Sequence, residues 1–133
     1  MTDIHNGGCL CGAVRYTIRG GVMGSMICLC ATCRRATGAP VTAALSVERD
    51  RFDMRGETVA YHSSPKVTRR FCRVCGTGLT YEHADSPDEV DVSTCSLDDP
   101  NAFPPTHHSW LSDDVDWVKF GDGLPTFTGS RYG

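Results

Sequence analysis

The chain has 133 residues, 40% of them hydrophobic and 22% charged, with a formal net charge of −3. That balance excludes a disordered chain and predicts one soluble globular domain over residues 1–133. The acidic total also excludes a general attraction for nucleic acid or an anionic membrane surface, and no apolar run approaches the roughly 18 residues of a membrane span.

The opening stretch MTDIHNGGCL lacks the basic and then apolar regions of a secretion signal, so a cytoplasmic location is expected. Gly7-Gly8 precede Cys9 with no lysine or serine at phosphate-loop spacing, which argues against a nucleotide-binding strand–turn–helix. AVRYTIRGG then reads as a strand with Val14, Tyr16 and Ile18 on one face, ending at Gly20-Gly21. A short helix is predicted over about Ala31–Thr37, with Gly38 to end it and Pro40 to prevent its restart. Strand-like runs surround it: MIC, VTAALSV, ETVAYHS, KVTRRFC, TGLTYE and EVDVSTC. Each is rich in β-branched or aromatic residues and bounded by turn formers. SLDDPNAF reads as a turn leading into one helical turn capped by Asp98 or Asp99. Pro104 and Pro105 hold FPPTHHSW extended, and the Trp and two Phe of DWVKFGDGLPTF are expected to pack back on the sheets. Seven or more short strands predict an all-β, or β-dominated, fold class.

Eight cysteines in a reducing compartment point to metal rather than disulfides. Seven of them fall into three clusters: Cys9 and Cys11; Cys28, Cys30 and Cys33; Cys72 and Cys75. FCRVCGTGL is a C-x-x-C followed by Gly76, the shape of a zinc half-site whose loop bends back so that backbone N–H groups face the sulfurs. CLCG at 9–12 reads as a second half-site, with two cysteines on one face of a strand edge. Together Cys9, Cys11, Cys72 and Cys75 make a closed structural Zn²⁺ site that clips the first strand to a hairpin about 60 residues later.

Cys28, Cys30 and Cys33 remain. Three thiolates and one open position are the pattern of a catalytic zinc. The alternative is a site closed by Cys95, or by His5, His62, His83, His107 or His108, and spacing also permits ligands shuffled between the two sites. An open tris-thiolate site suits a soft fourth ligand, above all another thiol held as thiolate. Arg34 and Arg35 follow Cys33, and Lys66, Arg69, Arg70 and Arg73 surround the Cys72 half-site. They read either as compensation for thiolate charge or as a rim that grips carboxylates. A small thiol bearing carboxylates, such as glutathione, meets both features as a partner. Cys95 itself reads as a small buried residue.

The blocks GGCLCGAVRY, CLCATCRRATGAP, RRFCRVCGTGLTY, CSLDDPNAFPPTHHSW and DGLPTF resemble, from about residue 7 to 127, the glutathione-dependent formaldehyde-activating enzyme family, also called the centromere protein V/GFA domain. The resemblance implies a β-tent of antiparallel sheets and two Zn²⁺ per chain. It implies a structural zinc on Cys9, Cys11, Cys72 and Cys75, and a catalytic zinc on Cys28, Cys30 and Cys33. It further implies addition of glutathione to formaldehyde, a reaction classed with the carbon–sulfur lyases. Leu29 departs from the family pattern, which often has histidine there, and is expected to line the substrate pocket. Two other readings stand beside the enzyme: a zinc-stabilised binding module motivated by the basic run Lys66–Arg73, and a thiol-redox role for Cys28–Cys33.

Overall fold

The computed structural model describes residues 3–131; the two residues at each end of the expected 1–133 domain, including the start of MTDIHNGGCL, lie outside them. Ten strands in this span form two sheets. The smaller holds β1 (Ile4–Gly8), β2 (Arg15–Arg19) and β5 (Phe52–Arg55) in the order β1-β2-β5. The larger contains β3 (Gly24–Cys28), β4 (Thr42–Glu48), β6 (Thr58–Ser64), β7 (Val67–Cys72), β8 (Gly78–His83), β9 (Glu89–Ser93) and β10 (His108–Ser109), in the order β10-β3-β4-β9-β8-β7-β6. Every pairing is antiparallel except β10 with β3, which is parallel.

Alternation builds the core. Val14, Tyr16 and Ile18 are fully buried, as their period-2 spacing predicts, and they cluster with Leu45, Val47, Val90 and Val92 of the larger sheet. Burying a side chain of this kind contributes roughly 1.5–3 kcal/mol. Because successive side chains on a strand point to opposite faces, Ser46 and Asp91 must point away from this core. The larger sheet therefore has an apolar face inward and a polar face outward.

Helix α1 (Ala31–Thr37) forms where the sequence places it and ends at Gly38, whose N–H bonds the Arg34 carbonyl. SLDDPNAF differs from expectation. Its helical turn comes earlier, a 3-10 turn at Thr94–Ser96, and the next residues form a plain turn in which Asp99 Oδ1 accepts from the Asn101 N–H. Asp98 is engaged elsewhere, accepting from Arg15. In the tail, Phe120 and Phe127 pack on the rings of His108 and His107, and Asp122 accepts from His108 Nε2 at 3.0 Å. Trp117, expected to pack with them, is 74% exposed.

Candidate metal centre and thiol site

Cys9, Cys11, Cys72 and Cys75 come together, with every sulfur within 4.8 Å of the others. The first half-site is a turn, not the strand edge the spacing predicted. β1 stops at Gly8, the Gly12 N–H bonds back to the Cys9 carbonyl, and Cys9 and Cys11 stand on that loop. The second half-site repeats the device, with the Gly76 N–H on the Cys72 carbonyl. Gly12 and Gly76 have φ of 82° and 80°, which residues with a Cβ adopt only at a cost. The bend aims amides at sulfur: Val14 N–H at Cys9 Sγ (3.2 Å), and Val74 and Cys75 N–H at Cys72 Sγ (3.3 and 3.4 Å). Thr77 joins the half-sites, its hydroxyl accepting from Leu10 N–H and lying 3.2 Å from Cys75 Sγ.

A tetrahedral zinc with bonds of about 2.3 Å spaces its sulfurs about 3.8 Å apart. Cys9 and Cys11 are 3.6 Å apart, Cys11 and Cys72 3.8 Å, so the donor set fits the ion. The thiol electrostatics agree. Hydrogen bonds from the Thr77 hydroxyl and backbone hold Cys75 down at about 5. The Ala13 amide pulls Cys11 the same way, but burial and the neighbouring thiols win and push it up to about 11. Four thiols this close do not all ionise without a cation among them, and a divalent metal reverses that balance.

Cys28, Cys30 and Cys33 form the second group. Cys28 ends β3, Cys30 caps α1 and accepts from the Cys33 N–H, and Cys28 and Cys33 sulfurs are 3.8 Å apart. Hydrogen bonds from Cys28 and Cys33 draw the negative charge onto Cys30, while sharing with Cys30 pushes Cys28 up. This spacing also fits zinc. Among the described residues no fourth histidine, cysteine or carboxylate joins the trio.

The candidate closing ligands are engaged or distant. His5 packs on Phe103, His62 meets the Thr68 hydroxyl, His83 accepts from the Asp85 N–H, His107 meets Thr106, and His108 holds Asp122. Cys95 lies in the 3-10 turn at Thr94–Ser96 and is exposed, contrary to its expected burial. Leu29 is 1% exposed, so its side chain is buried and not part of an open pocket wall.

The basic residues divide. Lys66 pairs with Asp85, Arg70 with Glu82 and Arg73 with Glu57. Arg69, assigned by sequence proximity to the Cys72 half-site, instead reaches the other trio: its two terminal nitrogens lie 3.8 and 3.7 Å from Cys33 Sγ. Its guanidinium lies 5.1 Å from the centre of the Tyr81 ring, and its Nε donates to Ser63. Alternation along β7 is the signal that separates Arg69 from Arg70. Arg34 stands one helical turn after Cys30, on its side of α1, with a buried Nε that has no hydrogen-bond partner. Arg35 is exposed and points away from Cys33.

No curated protein matches the chain significantly. A crystal structure of a Rhodobacter sphaeroides protein, a structural genomics target, is similar in fold: TM-score 0.59 at 20% identity, covering 92% of this chain and 99% of that one. The profile of the glutathione-dependent formaldehyde-activating enzyme family matches residues 4–113. With most of its length matched, and with both thiol clusters inside the matched segment, the chain belongs to the glutathione-dependent formaldehyde-activating enzyme family.

Proposed function

We propose that the protein is a zinc-dependent carbon–sulfur lyase of the glutathione-dependent formaldehyde-activating type, acting as a single domain on S-(hydroxymethyl)glutathione or a related thiol–aldehyde adduct. The observation that carries this reading is the inequality of the two thiol clusters, four ligands in one and three in the other. Cys9, Cys11, Cys72 and Cys75 would hold a structural zinc. Cys28, Cys30 and Cys33 would hold a catalytic one with a coordination position left for a ligand from solution. When bound there, zinc supplies a soft Lewis acid that keeps a visiting thiol ionised.

The chain's own residues position the reactants. Arg69 brings positive charge to Cys33 and offsets part of the thiolate charge. Arg34 and Arg35 are the proposed carboxylate holders, and Arg34 is the better placed because its buried Nε needs an acceptor. In the forward direction a bond forms between the glutathione sulfur and the aldehyde carbon. The carbonyl becomes a hydroxyl, which takes up the proton the thiol gave away. In reverse the carbon–sulfur bond breaks and both molecules return. Free thiols throughout suit the reducing cytoplasm.

In the basic run that motivates the binding-module reading, Lys66, Arg70 and Arg73 each have an acidic partner, which favours the lyase reading over it. The test is adduct formation measured against the spontaneous rate. Zinc-loaded protein is expected to accelerate it. Cys30→Ser is expected to abolish the acceleration with an unchanged circular dichroism spectrum, whereas Cys72→Ser loses the fold. No acceleration by the wild type, or full activity in Cys30→Ser, overturns the reading.

A further inference from the structure

The outward face of the larger sheet carries a register row that leads away from the thiol trio. Ser46 on β4 is paired with Asp91 on β9, Asp91 with Tyr81 on β8, and Tyr81 with Arg69 on β7. Arg69, which pairs onward with Tyr61 on β6, lies against Cys33. At the other end is a cavity of about 140 Å³ whose walls include Met26, Ser46, Tyr81, Glu89 and Asp91. It far exceeds the ~15 Å³ that a single water needs. Two connections tie it to the trio: Tyr81 shares Arg69 with Cys33, and Met26 lies two residues before Cys28 on the same face of β3.

The carboxylates of this cavity are Asp91 and Glu89, and its other polar residues are Ser46, Tyr81, Ser86 and His83, whose Nδ1 accepts from the Asp85 N–H. Asp91 Oδ1 accepts from the Ser46 hydroxyl at 3.0 Å, and the groups acting on its carboxyl are its own burial, Ser46 and the like charge of Glu89. No cation is among them. A half-buried carboxylate beside a second one, with an aromatic ring in the wall, is the chemistry that receives an ammonium group. Arg69 lies two strand spacings from Asp91, about 9–10 Å, so one small zwitterion reaches both.

We propose that the cavity of Asp91, Ser46, Tyr81 and Glu89 is the subsite for the ammonium group of the substrate, so that the enzyme selects thiols that also bear a free amine. This rests on the proposed thiol-lyase function only for the identity of the ligand. It assigns to the γ-glutamyl end of glutathione a place on the sheet face, while its thiol lies at Cys28, Cys30 and Cys33. A desolvated charge-assisted contact of this kind is worth at least about tenfold in affinity.

The test is a pair of titrations of zinc-loaded protein followed by backbone amide shifts, which also report that each variant is folded. One series uses glutathione and its analogue lacking the amine, glutaryl-cysteinylglycine. The other uses S-methylglutathione, which keeps the amine but has no free thiol. Glutathione is expected to bind at least tenfold tighter than the des-amino analogue and to shift the amides of Ser46, Tyr81 and Asp91. Asp91→Asn is expected to bring the two affinities within twofold while leaving that of the analogue unchanged. S-methylglutathione is expected to move the same three amides weakly in the wild type and not in Asp91→Asn.

Glutathione binding with those amides unmoved, or an intact preference in Asp91→Asn, overturns the subsite and leaves the thiol reading standing. S-methylglutathione moving them without any response of the Cys28–Cys33 amides to glutathione sustains the subsite and removes the thiol reading. Silence of the three amides to both ligands at millimolar concentration overturns the subsite outright.

Discussion

Asp91 stands on β9 between Val90 and Val92, which the core buries, and this sets its direction and its cost. Burial pushes its carboxyl up to about 6 from an ordinary 3.8, against the Ser46 hydroxyl and with help from Glu89. The other titratable groups facing the same cavity are Tyr81 and His83. A carboxyl raised on folding favours the folded state fully below its unfolded pKa and loses that contribution as pH rises through the folded one. Stability at Asp91 is thus present below about pH 4 and gone above about pH 6. Asp91→Asn keeps the acceptor for Ser46 and removes the charge. It is expected to stabilise the protein by about 2–3 kcal/mol at pH 8 and by almost nothing at pH 4, read from urea unfolding at each pH. Arg69 is the second residue with a testable role. Arg69→Lys keeps the charge but loses the planar fork that spans Cys33 and stacks on Tyr81. It is expected to raise KM for glutathione several-fold with a smaller change in kcat, and Arg69→Ala is expected to raise KM about tenfold or more.

The two half-site turns are the elements that bring Cys9, Cys11, Cys72 and Cys75 together. A Cβ at Gly76 meets nothing within 4 Å, yet φ there is 80°, so Gly76→Ala is penalised through the backbone alone. About 1–2 kcal/mol of stability is expected to be lost, seen as a lower unfolding midpoint with zinc stoichiometry unchanged. These turns were legible in the sequence as far as residue spacing reaches: a C-x-x-C with its glycine names its own bend, and Val14, Tyr16 and Ile18 name their own face. Helix α1 was legible for the same reason, since Gly38 and Pro40 bracket it. Other strands carry no local signal. IHNGG at β1 and FDMR at β5 are strands because β2 lies between them and pairs with both. The two-residue spacing of Cys9 and Cys11 fits a strand, whereas the bond from the Gly12 N–H to the Cys9 carbonyl closes a turn. Nearness along the chain points Arg69 to the Cys72 half-site, but it says nothing about which face of β7 a side chain takes, and Arg69 faces Cys33. The row from Ser46 to Arg69 depends on strand order, which no local pattern contains.

At the scale of the whole molecule, the proposed function requires the four-thiol and three-thiol clusters to answer differently to a chelator. The three-ligand site is expected to release its zinc first, with the far-ultraviolet circular dichroism unchanged. The four-ligand site is expected to release later, and the fold with it, because the binding free energy of a closed site is folding free energy. Metal analysis is expected to give two zinc per chain at the start and one at the intermediate stage. A single step, with both ions lost as the sheets unfold, contradicts the division into structural and catalytic sites.

Cys11 and Cys72 touch across 61 positions of sequence, and this has a consequence for synthesis. At about 5–20 residues per second, the first pair of sulfurs emerges several seconds before its counterparts are translated. Throughout that interval Cys9 and Cys11 lack the two sulfurs that complete their cluster, and the nascent chain carries them as an open pair of thiols.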